Sequence, residues 1–476
     1  MGTDQLASNQ AANQVTEKSG DVLDRVEREK ERYLAELEEY LRIPSISTDP
    51  EYKAEVDRCS RWLRDRMERA GLKAERVDAG GHPLVYGEWL GAPGKPTVLF
   101  YGHYDVQPVD PVDEWRHAPF EPTREGDNLV ARGATDDKGQ SYTHLLAVEA
   151  MLSERGSLPV NVKLIVEGEE ESGGAAIERF VTEDAGRRLG CDCVVVSDSS
   201  MLGPGQPSLD YGLRGIAYME MKVYGPNRDL HSGTYGGPVV NPLNALARIL
   251  GGLKDRETGR VTIPGFYDDV REIEEWERRE MTALPFDEEA YKRDLGVDAL
   301  DGETQYPPLL RATVRPTCDV NGIFGGYMAG GAKTVLPAWG GAKVSMRLVP
   351  DQDPEKIGRS FVEHVKRLAP PGVRVEAVLL HHGKPMLLTT EGPYFAAAMD
   401  ALEETFGKRP LRVREGGSIP VVDTFASVLH APVLLMGYGL PDDRLHSPNE
   451  KMSIPQFYDG IRCNVRLLDR VAEIGG

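Results

Sequence analysis

No stretch of this sequence approaches the about 18–20 consecutive apolar residues needed to cross a bilayer, so a membrane-spanning helix is not expected. Positive charge is in deficit. There are 56 basic against 76 acidic residues, a formal charge of −20, and no long Lys/Arg run forms a surface able to track a phosphate backbone. Nucleic acid is therefore not an expected partner, and neither is a membrane. Cysteine is scarce too: Cys59, Cys191, Cys193, Cys318 and Cys463 are an odd, scattered set without a C-x-x-C pair. That pattern excludes a disulfide framework and a thiolate zinc site, and leaves free thiols. Cys191 and Cys193 sit beside the apolar run Val194–Val196 at alternate positions and are expected to pack in the interior. The opening MGTDQLASNQAANQ lacks the charged-then-apolar order of a secretory signal, so a cytoplasmic protein is expected.

What the sequence does contain is the composition of a globular protein, with 40% hydrophobic and 28% charged residues. A chain of 476 residues is too long for one ordinary core, and two domains are expected. Residues 1–15 read as a disordered polar leader. From about residue 20 to 42, Leu23, Val26, Tyr33, Leu34, Leu37 and Leu41 recur at helical spacing, predicting an amphipathic helix that ends before Pro44. Short apolar runs follow at Thr97–Tyr101, Val160–Val166, Cys193–Val196 and Val433–Met436, the first three separated by helical segments. This alternation predicts an α/β fold with a mixed sheet and helices on both faces. Ile216–Val223 and Lys343–Leu348 instead alternate apolar and polar residues, as strands with one solvated face do. They predict an inserted α+β domain at 214–393, between catalytic-domain parts at 16–213 and 394–476, with the acidic, helix-prone segment 266–300 as its elaboration.

The acids and histidines fall in telling places. His103 and Asp105 follow the run Thr97–Tyr101, Glu169, Glu170 and Glu171 follow Val160–Val166, Asp198 follows Val194–Val196, and His446 lies after Val433–Met436. Each group sits beyond the carboxyl end of an apolar strand, the edge where open α/β sheets bind ligands. Imidazole and carboxylate suit zinc or a similar divalent ion. Two histidines and three acids exceed the needs of one catalytic ion and match a pair about 3.5–4 Å apart, bridged by a carboxylate and a water. The loop Ala131–Gly139 offers Asp136 or Asp137 as the bridge, and spacing does not choose between them. Nor does it choose, among the three glutamates, the metal ligand and the general base.

The pieces Tyr101–Pro108, Arg132–Gly139, Glu167–Gly173, Ser197-Asp198 and His446–Glu450 resemble motifs of the co-catalytic zinc peptidases. That family includes carnosine dipeptidases, glutamate carboxypeptidases, aminoacylases and succinyl-diaminopimelate desuccinylases. The resemblance spans nearly the whole chain and is nearest to the dipeptidase branch. It implies two divalent ions per subunit, zinc first and manganese or cobalt as alternatives. His103 and Glu171 would complete one metal's shell, Asp198 and His446 the other's, and Asp136 would bridge. Glu170 matches the family's general base, and Asp105 the acid that orients His103. The inserted domain would act as a lid and form a homodimer, with His231, in Asp229–Gly233, reaching the partner subunit's site to stabilise the oxyanion. Arg347 matches the arginine that binds a substrate's terminal carboxylate. Ser418 matches a substrate-contacting loop residue on the catalytic domain, and His381 and Asn321 match residues lining the same pocket.

Two departures stand out. Glu169 replaces a non-acidic residue of the human-type dipeptidases, adding a charge that bears on metal choice and on the base's pKa, and Asp198-Ser199-Ser200 replaces bulkier residues. The implied activity is hydrolysis of dipeptides or short peptides, with a metal-bridging water as nucleophile. The rival within the family is hydrolysis of N-acyl or carbamoyl amino acids, and the remote rival is a non-catalytic metal-binding protein.

Overall fold

A computed structural model describes residues 3–184, 188–284, 286–417 and 419–474. Along the chain run α1 (Thr3–Leu41), α2 (Lys53–Arg69), β1 (Lys73–Val77), β2 (Leu84–Trp89), β3 (Thr97–His103), α3 (Lys138–Arg155), β4 (Asn161–Glu167), α4 (Ala175–Asp184) and β5 (Cys193–Val196). These are followed by β6 (Gly215–Tyr224), α5 (Pro242–Gly251), β7 (Asp319–Gly325), β8 (Trp339–Leu348), α6 (Pro354–Leu368), β9 (Arg374–Gly383), α7 (Pro393–Phe406), β10 (Val433–Leu435) and α8 (Ile454–Val471). The chain divides into two compact units, the first comprising Met1–Tyr211, Leu388–Val413 and Pro420–Gly476, the second Gly212–Leu387 and Arg414–Ile419.

In the first unit the strands lie in the order β1-β2-β4-β3-β5-β10. Strand β3 is parallel to β4 and β5, β10 is parallel to β5, and β2 is antiparallel to β4. The apolar runs become these central strands because both faces are covered. Val98 and Phe100, Val162 and Leu164, Cys193 and Val195, and Leu434 join a core with residues of α1, α2, α3, α7 and α8. The alternate residues Leu99, Tyr101, Ile165, Val194, Val196 and Leu435 are buried as well, the condition for a continuous apolar run in a parallel strand. The sheet is thus mixed, with cover on both faces.

Helix α1 buries Val26, Tyr33, Leu34, Leu37 and Leu41 as the spacing predicts, each side chain contributing about 1.5–3 kcal/mol, while at its earlier end Val22 is buried and the expected Leu23 is only half-buried. Its backbone is helical from Thr3, so a disordered leader over residues 1–15 is not what the structure shows for 3–15. No glycine or proline interrupts residues 3–19, and extending a packed helix costs far less than nucleating one. Cys191 also differs from expectation: it lies outside β5 and is only half-buried, while Cys193 inside the strand is buried. No helix among the described residues is long and apolar enough to cross a membrane.

The second unit is a four-stranded antiparallel sheet in the order β7-β8-β6-β9. Along β6, buried and half-buried residues alternate strictly. Ala217, Met219, Met221 and Val223, with Val344 and Met346 of β8, pack on Ala245 and Ile249 of α5 and Phe361 of α6. The segment 266–300 forms helices at Glu275–Ala283 and Glu288–Leu295. Two boundaries depart from the sequence pattern. The chain rejoins the first unit at Leu388, whose N–H donates to the Tyr211 carbonyl at 2.7 Å. Residues 414–419, expected in the catalytic domain, belong to the second unit, because Arg414 pairs with buried Glu277 and the Arg214 Nε donates to the Gly416 carbonyl at 2.7 Å.

Candidate metal centre

Parallel strands deliver their carboxyl ends to one edge, and the candidate ligand residues start from there. His103 is the last residue of β3, and Asp198 follows the neighbouring strand β5. Glu170 and Glu171 form a single helical turn, Glu170–Ser172, beyond β4 on the other flank of β3. Asp136 ends the turn that leads into α3, and His446 lies in the loop after β10. The turn carrying Asp136 contains Gly133 at φ +82°, a backbone conformation that side-chain-bearing residues resist.

The five side chains gather into two groups that share Asp136: His103, Asp136 and Asp198, and Asp136, Glu171 and His446. Asp136 divides its carboxylate between them. Oδ1 lies 3.1 Å from His103 Nε2, and Oδ2 lies 2.9 Å from His446 Nε2. Asp198 Oδ2 is 3.9 Å from His103 Nε2, and Glu171 Oε2 is 3.5 Å from His446 Nε2. This corrects the implied shells: His103 goes with Asp198, and Glu171 with His446. Strand order alone does not choose between them, since β3 is hydrogen-bonded to both β4 and β5; the direction of the side chains does, with Asp198 turned to His103 and Glu171 turned to His446. Asp137 does not compete as the bridge, because its Oδ2 faces backward and accepts the His103 N–H at 3.2 Å.

Asp105 does more than orient one histidine. His103 Nδ1 lies 3.1 Å from the Asp105 carbonyl oxygen and 3.4 Å from its Oδ1. The same carboxylate accepts the N–H groups of Glu170 at 3.3 Å and Glu171 at 3.1 Å, and the Ser47 hydroxyl at 2.5 Å. It therefore ties the glutamate turn to the histidine. Glu169 is turned away from the cluster: its oxygens accept the N–H of His82 at 2.8 Å and of Ala176 at 3.2 Å, at the start of α4. The extra charge expected to bear on the base is thus engaged elsewhere.

The electrostatics of this cluster call for cations. Burial, reinforced by Asp136, pushes Glu171 up to about 10, and burial with Asp137 and Asp136 raises Asp198 well above the carboxylate range. Burial also pushes Glu170 up to about 7, with Asp136 and Asp105 adding to it and His103 opposing. Although burial works against it, Asp136 is held low by its bonds to His103 and His446. Glu171 Oε1 is buried without a hydrogen-bond partner among the described residues. Carboxylates that resist ionising together beside two imidazoles, with a buried oxygen left over, fit divalent cations in both donor type and charge.

Close packing sustains the geometry. A Cβ on Gly102 would stand 2.3 Å from Ser141 Cβ and 2.9 Å from Asp137 Oδ2. Gly102→Ala is expected to destabilise the protein by about 1–3 kcal/mol, as overpacked sites do, measured by chemical denaturation. Wild-type stability in that variant would mean that the strand end yields freely.

His231, Arg347, His381 and Asn321 belong to the second unit, so the candidate ligand cluster is built without them. His231 is exposed at the end of a short strand, Leu230–His231, and its Nδ1 accepts the Gly233 N–H at 3.1 Å, which leaves Nε2 to carry the proton in the neutral ring. Arg347 is half-buried on β8, and His381 on β9 stacks on Tyr218 with ring centroids 4.8 Å apart. Burial and the nearby Arg347 hold the His381 ring below its ordinary pKa. Asn321 is exposed at the register shift of β7, and Ser418 lies outside the described residues. Sequence reasoning missed Glu450, a fully buried acid that touches the Asp136 turn. Its signal was an acid closing the His446–Glu450 motif, four positions after the histidine.

The chain belongs to peptidase family M20/M25/M40, whose profile matches residues 99–470, and it is a peptidase, an enzyme acting on amide bonds. It is 33% identical over 468 residues to a Cys-Gly metallodipeptidase of Schizosaccharomyces pombe, covering 94% of this chain and 97% of that one. It is 32% identical to the human Beta-Ala-His dipeptidase, covering 94% and 92% of the two chains. Among solved structures it resembles the dipeptidase Dug1p of Saccharomyces cerevisiae, with a TM-score of 0.87, 31% identity, and 96% and 99% of the chains covered.

Proposed function

We propose that this chain is a metal-dependent dipeptidase whose two divalent cations, zinc first and manganese or cobalt as alternatives, are held by His103, Asp136 and Asp198 and by Asp136, Glu171 and His446. The observation that carries this reading is the divided carboxylate of Asp136, with one oxygen 3.1 Å from His103 and the other 2.9 Å from His446. Cations bound there supply Lewis acidity that polarises an amide carbonyl and acidifies water. Glu170, pushed up to about 7 by burial, is suited to take a proton from the attacking water and return it to the leaving amine nitrogen. Asp105 keeps that base in register with His103 by gripping the backbone of the glutamate turn.

Arg347 would pair with the free carboxylate of a dipeptide, its planar fork matching the two oxygens, with His381, Asn321 and Ser418 lining the same pocket. His231, with its proton on Nε2, would donate to the oxyanion in the site of a second subunit. Support for a homodimer comes from the exposed apolar side chains of Val320 and Ile323 on the edge strand β7. The absence of disulfides among the described residues fits a reducing cytoplasm. The relatives that are named dipeptidases support a dipeptide substrate over an N-acyl or carbamoyl amino acid.

The test is a panel of free dipeptides, their C-terminal amides and N-acetyl amino acids, assayed after loading with zinc, manganese or cobalt in turn. Free dipeptides are expected to be cleaved fastest, only with a divalent ion present, and amides more slowly because Arg347 loses its partner. N-acetyl amino acids outrunning dipeptides would overturn the assignment.

A further inference from the structure

We propose that Glu450 is the positioning residue that makes Asp136 a bridging ligand, by fastening the turn that carries Asp136 to the loop that carries His446. This rests on the two-cation reading above. Glu450 is fully buried, and its two oxygens receive four donors. Oε1 accepts the backbone N–H of Thr135 and of Asp136, each at 3.0 Å. Oε2 accepts the Gly133 N–H at 3.0 Å and the Arg132 Nη1 at 2.8 Å. The N–H of Asp136 is thereby held on the residue whose side chain faces both histidines.

The same stretch is pinned from outside this carboxylate. The Ala131 N–H donates to the Glu450 carbonyl at 3.0 Å, and the Thr135 hydroxyl bonds to the Lys451 carbonyl at 2.7 Å and to Asp443 Oδ2 at 2.9 Å. Strand Lys451–Ser453 pairs with Asn128–Val130. On the His446 side the backbone enters the left-handed region at His446 (φ +59°) and Asn449 (φ +63°), a conformation that surrounding contacts must hold. Asn449 supplies one such contact, its Oδ1 accepting the Arg116 N–H at 2.8 Å. Glu450 supplies another and is the one side chain on this loop bonded to the Asp136 backbone among the described residues.

A carboxylate is needed because it alone offers four acceptor positions and no donor. Glutamine of the same shape would turn an N–H₂ toward N–H groups at one end, loosening either the Asp136 N–H or the Gly133–Arg132 side. The turn would then be free to rotate Asp136 so that only one oxygen reaches a ligand group. An ordinary buried ion pair with Arg132 would stabilise the fold without affecting how two ions communicate, and that difference separates the two roles.

The experiment uses the full chain and its Glu450→Gln variant, stripped of metal and titrated calorimetrically with Zn²⁺, with electron paramagnetic resonance of the Mn²⁺-loaded forms. Wild type is expected to take two ions and to show exchange coupling between paired Mn²⁺. E450Q is expected to bind at least one ion about 10–100-fold more weakly, the usual cost of losing a partner of a ligand, and to lose the coupled signal. Wild-type affinity with coupling intact in E450Q would overturn the role of Glu450, and a wild type that binds fewer than two ions would overturn the two-cation reading instead. A lower melting temperature for apo and loaded E450Q alike, with coupling unchanged, would assign Glu450 a purely structural part and also defeat the proposal. Should E450Q fail to fold, Glu450→Asp keeps the charge opposite Arg132 and withdraws the oxygens. It is expected to weaken binding and coupling, and unchanged values there would count against Glu450 in the same way.

Discussion

With Glu170 replaced by glutamine, the protein is expected to bind its cations at wild-type stoichiometry and to lose about 10²- to 10⁴-fold in kcat, the usual contribution of a general acid–base group. The substitution keeps the size of the side chain and leaves the backbone N–H of residue 170 on Asp105 Oδ1, so the glutamate turn stays in place. Glu171, which faces His446, is untouched. What is lost is the ability to take a proton. The pH profile gives a second readout. Burial, with Asp136 and Asp105 adding to it, pushes Glu170 up to about 7, and a base works only when deprotonated, so activity rises as pH rises through its pKa. Bound cations favour the charged carboxylate, which places the acid limb of kcat/KM at or below about 7. That limb is expected to vanish in the variant. Near-normal hydrolysis by E170Q would remove Glu170 from the role of base.

Asp136→Asn is expected to be the most damaging single change at the site. The two ligand groups share this carboxylate and nothing else, so neutralising it weakens both. The side chain lies between His103 at 3.1 Å and His446 at 2.9 Å, and an amide would present a poorly ligating N–H₂ group to one of them. The loss in metal affinity should exceed the about 10–100-fold that follows removal of an outer partner, and elemental analysis after dialysis should find fewer than two ions per chain. Asp137→Asn is the natural contrast, because its carboxylate accepts the His103 backbone N–H and belongs to neither group. It is expected to keep two ions. Equal metal loss in both variants would mean that the bridge does not reside in Asp136 alone.

Much of this architecture was legible in the chain. The apolar stripe from Val26 to Leu41 and the central runs at 97–101 and 193–196 lie close to where helix and strands are found, because periodicity reports which faces are buried. The alternation at 216–223 likewise marked a sheet with one solvated face. Candidate metal donors could be picked out because imidazoles and carboxylates stood beyond strand ends, and strand ends of parallel neighbours converge. Less legible was anything set by the direction of a side chain. Glu169, Glu170 and Glu171 are adjacent, yet one binds the N–H groups of His82 and Ala176, one lies near the ligand cluster, and one faces His446. Glu450 looked like a motif's polar end, and only burial against the turn at 132–136 showed what its carboxylate touches.

By itself, then, the amino-acid order determined the kind of fold, the donor chemistry and the strand ends that would carry it, since these follow from local periodicity and residue type. The tertiary structure alone decided that His103 stands with Asp198 and Glu171 with His446, and that the Glu450 carboxylate meets the turn that carries Asp136. The reason is physical: which ligands meet depends on which strands are hydrogen-bonded neighbours and how loops separated by hundreds of residues are packed, and neither quantity is written in the spacing along the chain.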